Sequence, residues 1–240
     1  MGSISSNDLL GPFGEDGPFN RMKQRNVVTT TLLVGLGFVL IVLVQAVGRG
    51  YRLPGNNQGY EPVQPIAYSH RLHAGELGLD CQHCHSGADE SQTAGIPPAA
   101  TCMNCHRFIS APYNVVRAED AAASEEKRPP QRVVSPEIGK LYDAMALTES
   151  ATPDPGKTPF PIEWVKVHSL PDYVSFDHSA HVTMGVECRS CHGEVQTMER
   201  VRQVSDLSMG WCVNCHRDVN AEGVNGKKVD APLDCVACHH

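Results

Sequence analysis

The stretch "HRLHAGELGLDCQHCH", residues 70–85, returns as "HSAHVTMGVECRSCH", residues 178–192. Both copies carry a His-x-x-His pair, then a glycine, an apolar residue and an acid directly before Cys-x-x-Cys-His, and the first copy is one residue longer. A second pair of motifs follows in step, "CMNCHR" at residues 102–107 and "CVNCHR" at residues 212–217. The chain therefore reads as a two-motif unit used twice, over 70–107 and 178–217, with a fifth motif at 235–239. A repeat organised around such motifs, and not around an apolar stripe, points to a fold built on whatever the motifs bind.

All ten cysteines fall in five pairs, Cys81/Cys84, Cys102/Cys105, Cys188/Cys191, Cys212/Cys215 and Cys235/Cys238. A histidine follows each pair at once: His85, His106, His192, His216 and His239. With 12 histidines in 240 residues, five such placements by chance have a probability on the order of one in three million. Zinc knuckles need four ligands but no histidine at that repeated position. Disulfides and redox dithiols are equally indifferent to it. Covalent c-type haem requires it, because two thiols add to the porphyrin vinyl groups and the next imidazole reaches the iron from the same side. The expected cofactors are thus five c haems, attached through the ten cysteines with the five following histidines as proximal ligands. The final motif, "CVACHH", would be held by its two thioether bonds and an iron–nitrogen bond.

Composition agrees with that expectation. Aromatic residues are 6% and charged residues 20%, against 10 cysteines and 12 histidines. The macrocycles must therefore supply the buried mass that Phe, Trp and Tyr do not. The expected fold is a multihaem cytochrome c domain, mostly irregular with short α-helices packed around five haems, plus one N-terminal transmembrane helix. A net charge of -7 and the lack of any long Lys/Arg run argue against nucleic acid as a partner.

Residues 27–47, "VVTTTLLVGLGFVLIVLVQAV", carry no charge and are long enough to cross a bilayer as one helix. The segment before them, residues 1–26, is longer than a cleaved leader needs, which favours an uncleaved anchor. Arg21, Lys23 and Arg25 precede the run and Arg49 and Arg52 follow it, so the positive-inside bias places residues 1–26 as a cytoplasmic tail. The expected location is the cell membrane, single-pass, with residues 48–65 as a linker and the haem domain, 66–240, on the periplasmic or outer face. Between the repeats, "SPEIGKLYDAMALTES" from Ser135 reads as a short helix. Ser135 stands at the cap, Pro136 in the first turn, and Ile138, Leu141, Tyr142 and Met145 on one face. The proline-rich "TPDPGKTPFP" after it cannot be regular structure.

The histidines outside the motifs decide what the haems do. His70/His73 and His178/His181 are three residues apart, share a face on a helical turn, and stand ahead of a motif, so each pair can supply distal ligands to two neighbouring haems. For the fifth distal ligand, His168 in "WVKVHSLPDYVSFDHSAH" stands first, with Met209, Met198, His83 and His240 as alternatives. A thioether ligand would make one haem more oxidising than the others. Haems with both axial positions filled have no open site for a substrate, so no catalytic residue is expected and electron transfer is the expected role.

The His-x-x-His pairs, the segment leading to His178, the five Cys-x-x-Cys-His motifs and the single anchor together resemble the class III multihaem cytochromes. More narrowly they resemble the membrane-anchored pentahaem subunit of alternative complex III, a quinol:electron-acceptor oxidoreductase. The resemblance implies an iron-sulfur subunit, integral quinone-binding subunits and a monohaem cytochrome c as partners, and an external electron acceptor on the periplasmic side. It also implies that His70 serves the haem on Cys81/Cys84 and His178 the haem on Cys188/Cys191, leaving His73 and His181 for other haems. A stand-alone quinol dehydrogenase of the small tetrahaem type is the alternative with the same single anchor. A multihaem nitrogen-compound enzyme would need a vacant iron position, which motifs all ending in histidine do not provide.

Overall fold

The computed structural model describes residues 18–48 and 57–239; residues 1–17 of the tail expected over 1–26, the stretch 49–56 and His240 lie outside the described residues. The described residues form two units, a single helix and the cysteine-bearing region.

Helix α1, Pro18–Gly48, begins well before the charge-free run. Proline suits the first turn of a helix because its missing N–H has no partner there. Residues Arg25–Gln45 are long and apolar enough to cross a membrane and bury none of their side chains within the chain. The threonines of "VVTTT" do not break that character. Thr29 and Thr31 donate their hydroxyls one turn back to the carbonyls of Arg25 and Val27, at 2.8 and 2.9 Å. Their polarity is thereby satisfied inside the helix.

The second unit has no strand among the described residues and consists of short helices in irregular chain, as expected. After a π-helical turn at Arg71–Glu76 come α2 (Cys81–Cys84), α3 (Ala99–His106), α4 (Tyr113–Glu125) and α5 (Pro136–Ala144). Then follow α6 (His178–Thr183), α7 (Cys188–His192), a 3-10 turn at Val195–Thr197, α8 (Met209–Glu222) and a last 3-10 turn at Cys235–Ala237. The repeat is visible in the backbone. Gly78 and Gly185 precede the first cysteine of their motifs by the same spacing and have φ of 67° and 86°. That conformation strongly favours glycine. The acid between glycine and cysteine serves in two ways. Asp80 caps α2 by accepting from Gln82 N at 2.8 Å, whereas Glu187 makes no cap and pairs with Arg189. A short acidic side chain is well placed for such a cap because its oxygen reaches the unpaired N–H groups of the first turn.

Conventional apolar packing is found where the inserted region meets the second motif. Met103 of α3 packs with Leu141 and Tyr142 of α5, joined by Ile66, Val134 and Ile138. The face expected from "SPEIGKLYDAM" is the buried face of α5, but Ser135 makes no side-chain cap; its backbone N–H donates to Ser110 O at 2.8 Å instead. Every buried apolar residue among the described residues lies between Ala88 and Ala146. The stretch 57–65, expected as part of a linker, is bound to the rest of the unit. Gly59 N donates to Gln203 O at 2.7 Å, Gln203 N to Tyr60 O at 3.0 Å, and Gln64 exchanges two hydrogen bonds with Val165.

Candidate functional site

Each Cys-x-x-Cys pair sits on a helical turn, so its two thiols, three residues apart, project from one face. In the first, third and fifth motifs the first cysteine is exposed and the second half-buried, and in the second and fourth the order is reversed. All ten thiols are free of disulfides. They cluster across motifs. Burial first, then the neighbouring Cys188 thiol, raises Cys81. Burial first, then neighbouring thiols, raises the cysteines: Cys105 acts on Cys84, Cys84 on Cys102 and Cys238 on Cys212. Cys191, buried beside Cys215 and Cys212, is pushed up to about 11.

Facing these thiols are four pairs of imidazoles. His70 and His85 lie with ring centres 6.5 Å apart and planes 3° from parallel, and His178 and His192 stand at 6.3 Å and 10°. His73 and His106 are 6.0 Å apart at 60°, and His181 and His216 6.1 Å apart at 33°. Two metal–nitrogen bonds of about 2 Å, with roughly 1 Å more from each nitrogen to its ring centre, set two imidazoles on opposite sides of one metal about 6 Å apart. Direct packing would bring the rings closer, as it does for His168 and His192 at 4.4 Å.

Their second nitrogens are fixed as metal-binding imidazoles require. Nδ1 contacts a backbone carbonyl in His85 (Gly95, 2.7 Å), His106 (Ile109, 2.8 Å) and His216 (Pro232, 2.6 Å). The same holds for His73 (Ser69, 2.8 Å), His178 (Gln92, 3.1 Å) and His181 (Asp177, 2.7 Å). A carbonyl there makes Nδ1 the protonated nitrogen and leaves the Nε2 lone pair for a metal. His70 differs, since its Nδ1 is buried without a hydrogen-bond partner. Burial, then His85 and His73, lowers His70 to about 4, and burial, then His168, His178 and His85, lowers His192 to about 4. Both rings are therefore neutral at pH 7 and able to coordinate.

One aromatic ring supports each distal pair. Tyr68 stacks on His73 at 4.4 Å and meets His70 edge-on at 4.8 Å; Phe176 does the same to His181 at 4.6 Å and His178 at 4.9 Å. Sequence reasoning missed both rings, although an aromatic two residues before each His-x-x-His pair is part of the repeat. Burial, then the Cys84 and Cys102 thiols, pushes the Tyr68 hydroxyl up to about 12, so it stays a neutral donor.

The other candidate distal ligands are dispersed. His168 lies against His192, its Nε2 3.3 Å from His192 Nδ1, and not beside His239. The ring next to His239 is that of Tyr173, with centres 5.8 Å apart. His83 and Met209 are exposed, and Met198 offers its carbonyl to Arg71 N at 2.9 Å.

Among the described residues no three His, Cys, Asp or Glu side chains are grouped to hold a bare metal ion. Imidazoles in opposed pairs beside thiol pairs instead match an iron that brings four ring nitrogens of its own. The residues present thus fit covalently bound haem.

Residues 174–240 match the family described as "Cytochrome c7 and related cytochrome c". Residues 174–240 are thus a cytochrome c7-type domain, and that family implies c-type haem as the group the motifs hold. Over 196 residues it is 24% identical to "Menaquinone reductase, multiheme cytochrome c subunit" of Nitratidesulfovibrio vulgaris, covering 73% of this chain and 76% of that relative.

Proposed function

We propose that this chain is the electron-relaying subunit of a membrane complex of the menaquinone reductase type, carrying five c haems and anchored by α1. The observation that carries the reading is the set of four opposed imidazole pairs at 6.0–6.5 Å. Each haem iron, when bound, takes up and releases one electron between its ferric and ferrous states. The ten motif cysteines hold the macrocycles by thioethers. His85, His106, His192, His216 and His239 ligate from the proximal side, and His70, His73, His178 and His181 close the distal side of four, which keeps water and substrate off those metals. The fifth distal ligand is open between His168, held against His192, and the weaker candidates Met209, Met198, His83 and His240.

One helix cannot enclose a quinone, so integral partners would hold that site, with α1 keeping the haem domain, 66–240, at the periplasmic or outer face. The relative's name supports electron delivery to menaquinone. Resemblance to alternative complex III supports the opposite direction, from quinol to an external acceptor, with an iron-sulfur subunit, integral quinone-binding subunits and a monohaem cytochrome c alongside. Purification in mild detergent tests the assembly. A large stable complex whose haems are oxidised by a menaquinone analogue, or reduced by its quinol, supports the reading and reports the direction. A free monomer that oxidises quinol unaided supports the stand-alone dehydrogenase. His178→Ala tests the ligands: a high-spin signal should appear in the electron paramagnetic resonance spectrum while the mass still shows five haems. An unchanged spectrum would remove His178 from the ligand set.

A further inference from the structure

We infer that the haem attachment sites follow one another in space in the order second, first, third, fourth, fifth motif, so that electrons cross between the repeats only at the junction of the first and third. This rests on the haem reading above and specifies the route within it.

Within each repeat the neighbours are set by a single helical turn. His70 faces the first motif's His85 while His73, three residues on, faces the second motif's His106. His178 and His181 stand in the same relation to the third and fourth motifs. Sites held by side chains on one turn are necessarily adjacent.

The repeats then clasp each other reciprocally. The turn bearing His178 is bound by the loop after the first motif: His178 N and Nδ1 both reach Gln92 O, at 3.2 and 3.1 Å, and Ser179 N donates to Ser91 O at 3.2 Å. The turn bearing His70 is bound in the same manner by the segment after the third motif, through Arg71 N to Met198 O at 2.9 Å. Gly75 lies so close to that segment that a Cβ there would come within 2.3 Å of Gln196 O. This exchange brings the first and third motifs together, with the Cys188 thiol near enough to Cys81 to raise it.

The fifth motif joins at the fourth and at the segment leading to the His178–His181 turn, where Ser175 N donates to Cys238 O at 2.8 Å. Its approach segment lies on α8, with His216 Nδ1 at 2.6 Å from Pro232 O and Asn220 exchanging two hydrogen bonds with Ala231. The second and fifth motifs are left as the two ends, one beside the inserted helices and one at the end of the described chain.

A density map of the haem-loaded complex tests the order by tracing each macrocycle through its thioethers. We expect nearest-neighbour irons in the stated sequence; a fourth-motif haem nearest the first, or a fifth nearest the second, would overturn it. A map or mass without five haems would instead defeat the underlying haem reading. Kinetics give a second readout. Cys188→Ser/Cys191→Ser, with four haems by mass, should split rapid electron exchange into two isolated pairs, giving biphasic reduction from one end. Cys235→Ser/Cys238→Ser should leave the remaining four exchanging in one phase. Single-phase exchange after loss of the third motif would overturn the order.

Discussion

With Nε2 of His192 on a metal, its Nδ1 must carry the proton. The acceptor for it, 3.3 Å away, is His168 Nε2. Six other imidazoles of the opposed pairs use backbone carbonyls for this contact. A basic nitrogen behind the ligand adds electron density to it and favours ferric iron. His168→Leu should therefore raise one midpoint potential. A hydrogen bond worth about 1 kcal/mol corresponds to roughly 40 mV in a one-electron couple. Spectroelectrochemical titration of variant and parent checks this, and five unchanged potentials would mean that the contact does not act on the metal. The sequence put His168 first as the fifth distal ligand but did not give its neighbour, because linear spacing does not say which of five candidate proximal rings a distant segment meets. For His70 and His73 the spacing did carry information, since three residues on one helical turn already fix a shared face.

Helix α5 is the bridge between the inserted region and the second motif. Tyr142, almost wholly buried, donates its hydroxyl to His106 O at 2.6 Å and accepts from Arg132 Nη2 at 2.8 Å. At the other end Glu137 accepts from Ala67 N at 2.6 Å, on the segment that leads into His70. Tyr142→Phe should lower stability by about 1 kcal/mol, the net worth of the hydrogen bonds lost with the hydroxyl. The low-spin spectrum should persist, since His106 keeps its contact to Ile109 O. Thermal unfolding of the loaded protein checks this, and an unchanged midpoint would show that the bridge contributes nothing. The apolar face of α5 was legible because its spacing is helical, but α4 was not recognised. Its sequence "YNVVRAEDAAASE" has good helix formers but only Ala123 buried, so no stripe announces it. Its end is closed by Arg128, which pairs with Glu119, and Glu119 also accepts from Gln131 N at 2.8 Å. The Arg128 and Gln131 hydrogen bonds hold the Glu119 carboxyl at about 2, below its usual 4.5. A depressed carboxyl stabilises the fold above its ordinary pKa, and that support is lost as pH falls from about 4.5 towards 2. Glu119→Gln should flatten this acid limb of stability while leaving its shape near neutrality unchanged, which unfolding midpoints followed from acid to neutral pH would show.

Stability is divided unevenly along the cysteine-bearing unit. Residues 88–146 contain all the buried apolar side chains among the described residues, of which Met103, Leu141 and Tyr142 form a cluster. From residue 147 to 239 none is buried, and the largest fully buried side chain there is the polar Gln203. Apolar burial is the main force that offsets chain entropy, and a stretch that contributes only the partly buried Leu147, Ala151 and Ile162 to that core cannot hold one conformation unaided. On the proposed reading the missing apolar surface comes from macrocycles attached at three of the five motifs, which lie in this stretch. Composition announced this shortage, whereas its location was hidden, because the sequence does not reveal that the insertion packs a small core against the second motif. The chain produced without haem attachment should therefore behave as two parts under limited proteolysis. Fragments spanning roughly residues 99–146 should survive longest, while cleavage should be rapid throughout 147–240, and the loaded protein should resist in both. If the haem-free chain were protected equally over 147–240, burial there would have to come from the polypeptide alone, and the dependence of this half on its cofactors would be wrong.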